Sequence, residues 1–176
     1  MSEWIVLLLI GLVIIAGVVI YNRLVADTQR VKSGWSDIEV QLKRRHDLIP
    51  KLVVAVKQYA SYEQATLEAV TALRSDARQA NAVGDQAALE TRLSTSLISI
   101  YALQESYPEL KASQSFLQLQ TEITAVEADI QFSRRYYNGA VRNLNTRIES
   151  FPDMLIASLF NYQPASYFEL EEALPG

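Results

Sequence analysis

Residues 4–22, WIVLLLIGLVIIAGVVIYN, carry no charge. As a helix these 19 residues rise roughly 28 Å, close to the ~30 Å hydrocarbon thickness of a bilayer. Trp4 and Tyr21 stand near its two ends, where amphipathic rings favour the headgroup level. A cleaved signal peptide would need a basic start, a shorter apolar run and an A-x-A-like site. Residues 1–3 contain no Lys or Arg, the run is longer, and no such site follows it. The segment predicts a single-pass membrane anchor over residues 1–23.

Flanking charge sets the expected orientation. No Lys or Arg precedes the run, whereas Arg23, Arg30 and Lys32 follow it closely. Positive flanks stay cytoplasmic, so the N-terminus is expected outside and the rest of the chain in the cytoplasm.

Beyond the anchor, helical periodicity runs almost throughout. Leu24, Thr28, Val31, Trp35, Ile38, Leu42, Arg45 and Ile49 fall at alternating steps of four and three, the a/d seam of a coiled coil. No proline separates this helix from the anchor, so the two are expected to form one rod ending near Asp47, with Pro50 opening a new helix. That second helix is expected over residues 50–80, along Leu52, Val56, Tyr59, Leu67, Val70, Leu73 and Ala77, interrupted by Glu63. Gly84 suits its C-terminal cap and Asp85 the N-cap of a third helix over 86–106, which Pro108 stops. A fourth helix, capped by Ser113 or Ser115, carries Phe116, Leu119, Ile123, Val126, Ile130, Tyr137, Val141, Leu144 and Ile148. Ser150-Phe151-Pro152 then reads as a cap and first turn before a short apolar helix over 154–160 and a tail to residue 176.

No alternating strand pattern competes. Short connections make neighbouring helices antiparallel. The expected fold is all-α: the anchor continuous with an up-and-down four-helix bundle over 24–150, then a short helix and aromatic-rich tail over 151–176. Trp35, Ile38, Leu42, Leu93, Leu97, Ile123, Val126 and Ile130 are expected to share one buried cluster.

Composition narrows the function classes. The net charge of −4 offers no general attraction for phosphate, which argues against a nucleic-acid partner. The absence of cysteine removes disulfides and thiolate chemistry. His46 is the one histidine, and no Glu lies three residues before it, so the Glu-x-x-His pairs of di-iron bundles are missing. A carboxylate-only metal site from Glu63, Glu122 and Glu127 is conceivable, but solvated or ion-paired carboxylates are the commoner outcome. There is no G-x-S-x-G turn or glycine-rich phosphate loop. No catalytic residue, metal or cofactor is therefore expected, and His46 reads as a cap or surface residue.

The run VKSGWSDIEVQLKRRHDLIP over residues 31–50 closely resembles the signature of the bacterial LemA family. So do YPELKA at 107–112, FLQLQ at 116–120, RYYN at 135–138 and SFP at 150–152. Order and spacing are similar over nearly the whole chain. His46 stands where that family more often carries Tyr, and Gly139 where an acidic residue is common. The resemblance implies a single-pass protein of the bacterial inner membrane with a helical bundle, and one branch of the family is associated with magnetosome membranes. It implies no defined chemistry.

Three surface features remain. In a continuous helix Arg45 lies 23 residues beyond Asn22, roughly 35 Å, several times the ~8 Å Debye length. The Lys43-Arg44-Arg45 cluster therefore does not feel the chain's own bilayer. Either Arg45 pairs with Glu residues of the third and fourth helices, or Lys43 and Arg44 recruit an acidic partner. Tyr137 lies on the seam with its hydroxyl expected to reach a partner, while Arg135 and Tyr136 point off it, as a contact surface or as a cation–π pair within the bundle. Phe151, Phe160, Tyr162, Tyr167 and Phe168 crowd one stretch of the tail, and such apolar density is expected to be covered by the bundle base, the bilayer interface or another subunit. Phe151, Leu155, Leu159, Phe160 and Tyr162 are the membrane-proximal candidates.

Two readings follow. One is a non-enzymatic, membrane-anchored scaffold or adaptor binding other proteins or copies of itself. The other is a regulatory sensor or enzyme, marked by buried ionisable groups around a cavity inside the bundle.

Overall fold

The computed structural model describes residues 2–80 and 82–169. The terminal part of the expected tail, 170–176, lies outside the described residues. The chain is all-α, in the order α1 (Ser2–Lys57), α2 (Gln64–Gln79), α3 (Val83–Ser106), α4 (Pro108–Lys111), α5 (Gln114–Glu149) and α6 (Asp153–Leu159). Among the described residues there is no strand.

The N-terminal part of α1 is long and apolar enough to cross a membrane, and none of its most apolar window is buried against the protein. The helix then continues through Pro50 to Lys57, which corrects the expected stop near Asp47. A mid-helix proline removes the amide that would bond the carbonyl four residues back. Here that carbonyl, His46 O, accepts a hydrogen bond from Arg74 Nε at 2.5 Å, while Ile49 just before the proline and Leu52 and Val56 beyond it are fully buried. The helix ends instead before residues 58–63, where Tyr107 donates its hydroxyl to Glu63 at 2.9 Å.

The chain divides into two compact units. One comprises the described residues of Met1–Ser36 and Arg135–Ser166, the other those of Asp37–Arg134 and Tyr167–Gly176. The second has the larger core. Ile49, Leu52 and Val56 of α1 meet Leu67 and Val70 of α2, Leu93, Leu97 and Ile100 of α3, Leu110 of α4, and Phe116 and Ile123 of α5. The bond from Tyr107, after α3, to Glu63, before α2, shows these two helices antiparallel. Ser113 caps α5, its Oγ accepting from the Phe116 amide at 3.5 Å. The α3 start corrects the expected caps, because Gly84 and Asp85 lie inside its first turn and Ala82 holds the N-cap.

In the first unit α1 and α5 run antiparallel. Gly34 faces Tyr136 and Tyr137 so closely that a Cβ there would lie 3.1 Å from Tyr137 Cα. Asp27 meets Arg147 further along. Trp35 does not join the large core as expected. Successive helical residues point about 100° apart, so with Gly34 facing α5 the indole projects to the flank, half-buried, with its ring 5.5 Å from that of Tyr137. Ile38, Leu42, Val126 and Ile130 are buried in the second unit. The hydroxyl of Tyr137 reaches the Ser166 carbonyl at 2.8 Å.

A smaller core closes the first unit, where Leu24, Leu144 and Ala157 pack with Ile20, Ile148, Ile156 and Tyr162. The Ser150 hydroxyl turns back to Thr146 O, so the α6 start is held by backbone carbonyls, Ser150 O accepting from the Met154 amide at 2.7 Å and Pro152 O from the Leu155 amide at 3.1 Å.

Candidate functional site

Position 45 on the α1 seam places a guanidinium where a hydrophobic residue would be expected, and the second unit builds its polar centre around it. Arg45 and Glu90 are each 1% exposed. Burying an unpaired charge costs several kcal/mol, on the order of the ion's lost hydration, so the surroundings must supply partners. Glu90 of α3 pairs with Nη2 of Arg45 and Glu127 of α5 pairs with Nη1. Ser94 Oγ accepts from Nη1 at 2.9 Å and the Glu90 carbonyl from Nη2 at 3.3 Å.

His46 joins the same centre. It is buried, and its Nε2 lies 2.8 Å from the free oxygen of Glu90. That placement corrects the expectation of a cap or surface residue. An ionised carboxylate only accepts hydrogen bonds, so Nε2 carries the proton and donates it. Burial, then the positive charges of Arg45, Arg74 and Arg78, push the imidazole down to about 4, against a smaller opposing effect of Asp47. The ring is neutral at physiological pH.

Beside this centre lies a cavity of about 190 Å³ lined by Ser94, Leu97, Ile98, Tyr101, Ile123, Thr124 and Glu127. The Tyr101 hydroxyl is buried without a hydrogen-bond partner among the described residues. Burial, then the charge of Glu127, push it up to about 12.

The three carboxylates weighed for a metal are not brought together. Glu63 takes the Tyr107 hydroxyl, Glu122 the Gln118 amide, and Glu127 the Arg45 guanidinium. Among the described residues no group of three or more His, Asp or Glu side chains is arranged to hold a metal ion.

Of the surface candidates, Lys43 is exposed, and Arg44 is exposed with a 3.2 Å ion pair to Asp129. Exposed pairs of this kind are worth roughly 0–1 kcal/mol, so the guanidinium exchanges partners readily. Arg135 and Tyr136 are exposed and belong to the other unit, where the Tyr136 ring lies against Gly34. The tail candidates divide. Phe151, Leu155, Leu159 and Phe160 are exposed, whereas Tyr162 is half-buried in the small core. Packing against the base of the first unit falls to Ile156 and Ala157.

Glu90 and His46 are the residues missed by sequence reasoning. The signal was present as spacing: His46 stands four residues after Leu42 and three before Ile49, and Glu90 three before Leu93. Both positions face inward on amphipathic helices.

Fold and site define an all-α, membrane-associated protein with a candidate N-terminal span and a buried, internally neutralised polar centre. The chain belongs to the LemA family, which it matches over residues 34–174. It is 27% identical to the protein LemA of Metamycoplasma hominis over 86% of this chain and 69% of that protein. It is 22% identical to the magnetosome proteins MamQ 1 and MamQ 2 of Paramagnetospirillum magneticum, over 87% of this chain and 66% of each.

Proposed function

We propose that the protein is a membrane-tethered, non-catalytic scaffold that displays a rigid helical domain to other proteins in the cytoplasm of a bacterial cell. The observation that carries this reading is the pairing of the charges in the buried centre. Arg45 is held between two carboxylates, and the second oxygen of Glu90 is taken by His46. Charges engaged in this way fix the packing of α1, α3 and α5, a structural use of ionisable groups rather than a proton-transfer one. Interaction then falls to the exposed side chains, with Lys43 and Arg44 suited to an acidic partner. The three basic residues after the anchor favour the cytoplasmic side.

The test is site-specific photocrosslinking in cells. A photoreactive phenylalanine analogue at positions 43, 44, 135 and 136 should give adducts of discrete mass, absent from the exposed control position 72. With the probe at 43, Arg44→Glu should abolish the adduct, and with the probe at 44, Lys43→Glu should do so, each leaving the melting temperature unchanged. Equal, diffuse labelling at all positions would refute the reading.

A regulatory sensor is favoured by one observation, the buried, unpartnered hydroxyl of Tyr101, a residue that lines a cavity together with Glu127. Under that reading Tyr101→Phe changes the crosslinking pattern; under the scaffold reading it does not.

A further inference from the structure

We infer that α6 is an interfacial helix whose apolar face enters the same bilayer leaflet the anchor leaves, making the protein's hold on the membrane two-part. The inference rests on the anchor reading and goes beyond it. All the geometry lies within the first unit.

The anchor supplies a ruler. Asn22 ends the uncharged run, and at 1.5 Å per residue Gly17 lies roughly 8 Å inside that end and Asp27 roughly 8 Å outside it. A Cβ at Gly17 would sit 3.7 Å from Ile156 Cδ1, so α6 touches the anchor within its uncharged run. The Phe160 ring lies 4.7 Å from that of Tyr21, the aromatic residue at the membrane exit. At the other end of α6, Asp153 pairs with Arg147 at 2.8 Å, and Arg147 with Asp27 at 2.6 Å. The helix thus starts at a charged cluster outside the hydrocarbon and ends at the aromatic level.

Its two faces differ. Ile156 and Ala157 pack inward on Leu24 and Leu144. Leu155 and Leu159, one turn apart on α6, are 59% and 74% exposed on the outside, with Met154 beside them and Phe151, 78% exposed, in the turn just before the helix. Residues that follow the anchor's own lipid-facing surface at this depth are covered by lipid. Residues 151–168 contain no Lys or Arg, so the contact is hydrophobic and does not depend on anionic headgroups.

The chain has no cysteine, so single nitroxide labels at Leu155→Cys and Leu159→Cys report directly. They are measured in the full chain, one copy per phosphatidylcholine nanodisc, with Leu12→Cys as the membrane control and Ala72→Cys as the water control. Labels at 155 and 159 should lose accessibility to a water-soluble nickel chelate and keep access to oxygen, as at 12, with no change when phosphatidylglycerol is added. Nickel accessibility equal to that at 72 would overturn the inference. So would an immobile label shielded from both reagents, the mark of a protein contact. If 12 itself is open to nickel, the anchor fails and the inference with it; if 12 is protected and 155 is not, α6 alone fails. Should a cysteine variant lose helicity, Leu159→Trp in a Trp4→Phe, Trp35→Phe chain with brominated lipid gives the same measurement, and unquenched emission overturns the inference.

Discussion

Arg74 donates its Nε hydrogen to the carbonyl oxygen of His46 at 2.5 Å, from a helix that begins after the one it repairs. His46 O is the acceptor that Pro50, lacking an amide hydrogen, leaves open. The guanidinium replaces the missing rung of the ladder and holds α2 to the α1 segment on both sides of the proline.

This relationship predicts a coupled pair. Arg74→Ala leaves a buried carbonyl unpaired and is expected to cost about 1–3 kcal/mol. In a Pro50→Ala background the new amide bonds His46 O, and the same Arg74→Ala change is expected to cost much less. Denaturation of the four chains in detergent, followed by circular dichroism, measures the coupling. Additive effects would show that the two groups do not serve the same carbonyl.

His46 gives a pH dependence with a definite sign. Its folded-state pKa is lowered from 6.5 to about 4. Above pH 6.5 the imidazole is neutral in both states and its contribution to stability is fully present. As pH falls from 6.5 towards 4 the unfolded chain takes up the proton first, and stability is lost across that window. The whole shift corresponds to about 3–4 kcal/mol, at ~1.4 kcal/mol per unit. Thermal melts should fall between pH 7 and 4.5, and His46→Gln, which keeps a donor for Glu90, should flatten that part of the profile. An unchanged slope in His46→Gln would assign the acid sensitivity to the carboxylates instead.

Arg45 tests what the buried centre does for stability. Arg45→Met strands Glu90 and the half-buried Glu127 together, and losing one partner of a buried pair costs about 3–5 kcal/mol. Replacing Glu90 with Leu in the same chain removes the fully buried charge, though it leaves the His46 Nε2–H without its acceptor, and is expected to recover part of the loss. Urea titration of the single and double variants checks both statements. A double variant no more stable than Arg45→Met would place the energy in the packing of the guanidinium rather than in its charge.

The readable parts of this fold are those decided by local pattern. The long apolar helix at the N-terminal end, the seam through Ile38, Leu42 and Ile49, a serine cap before α5 and the inward Tyr137 hydroxyl all follow from spacing along one helix. The run through Pro50 was not readable, because its compensating donor comes from residue 74, a tertiary contact no window includes. The buried His46–Glu90 pair was hidden for a related reason. Each is a polar residue at an inward position, and its partner lies 44 residues away on another helix. The outward turn of Trp35 follows from the helix approach at Gly34, which spacing alone does not reveal.

That approach carries the last prediction. A Cβ at position 34 would lie 3.1 Å from Tyr137 Cα and 3.1 Å from Tyr136 Cδ1. The ring can swing aside, but the Cα of a helix cannot. Glycine within a helix is disfavoured against alanine by about 0.5–1 kcal/mol. Gly34→Ala therefore sets a propensity gain against a tight contact and should change stability by less than about 1 kcal/mol in either direction. Gly34→Val adds two further methyl groups at the same spot and forces α1 and α5 apart, at a cost of about 1–3 kcal/mol. The separation has its own reporter, because Trp35 stands 5.5 Å from the Tyr137 ring. In a Trp4→Phe chain, Gly34→Val should shift Trp35 emission to the red and raise its quenching by acrylamide, while Gly34→Ala leaves both near the parent values. A valine variant with unchanged melting and unchanged emission would mean that the helices do not meet at Gly34.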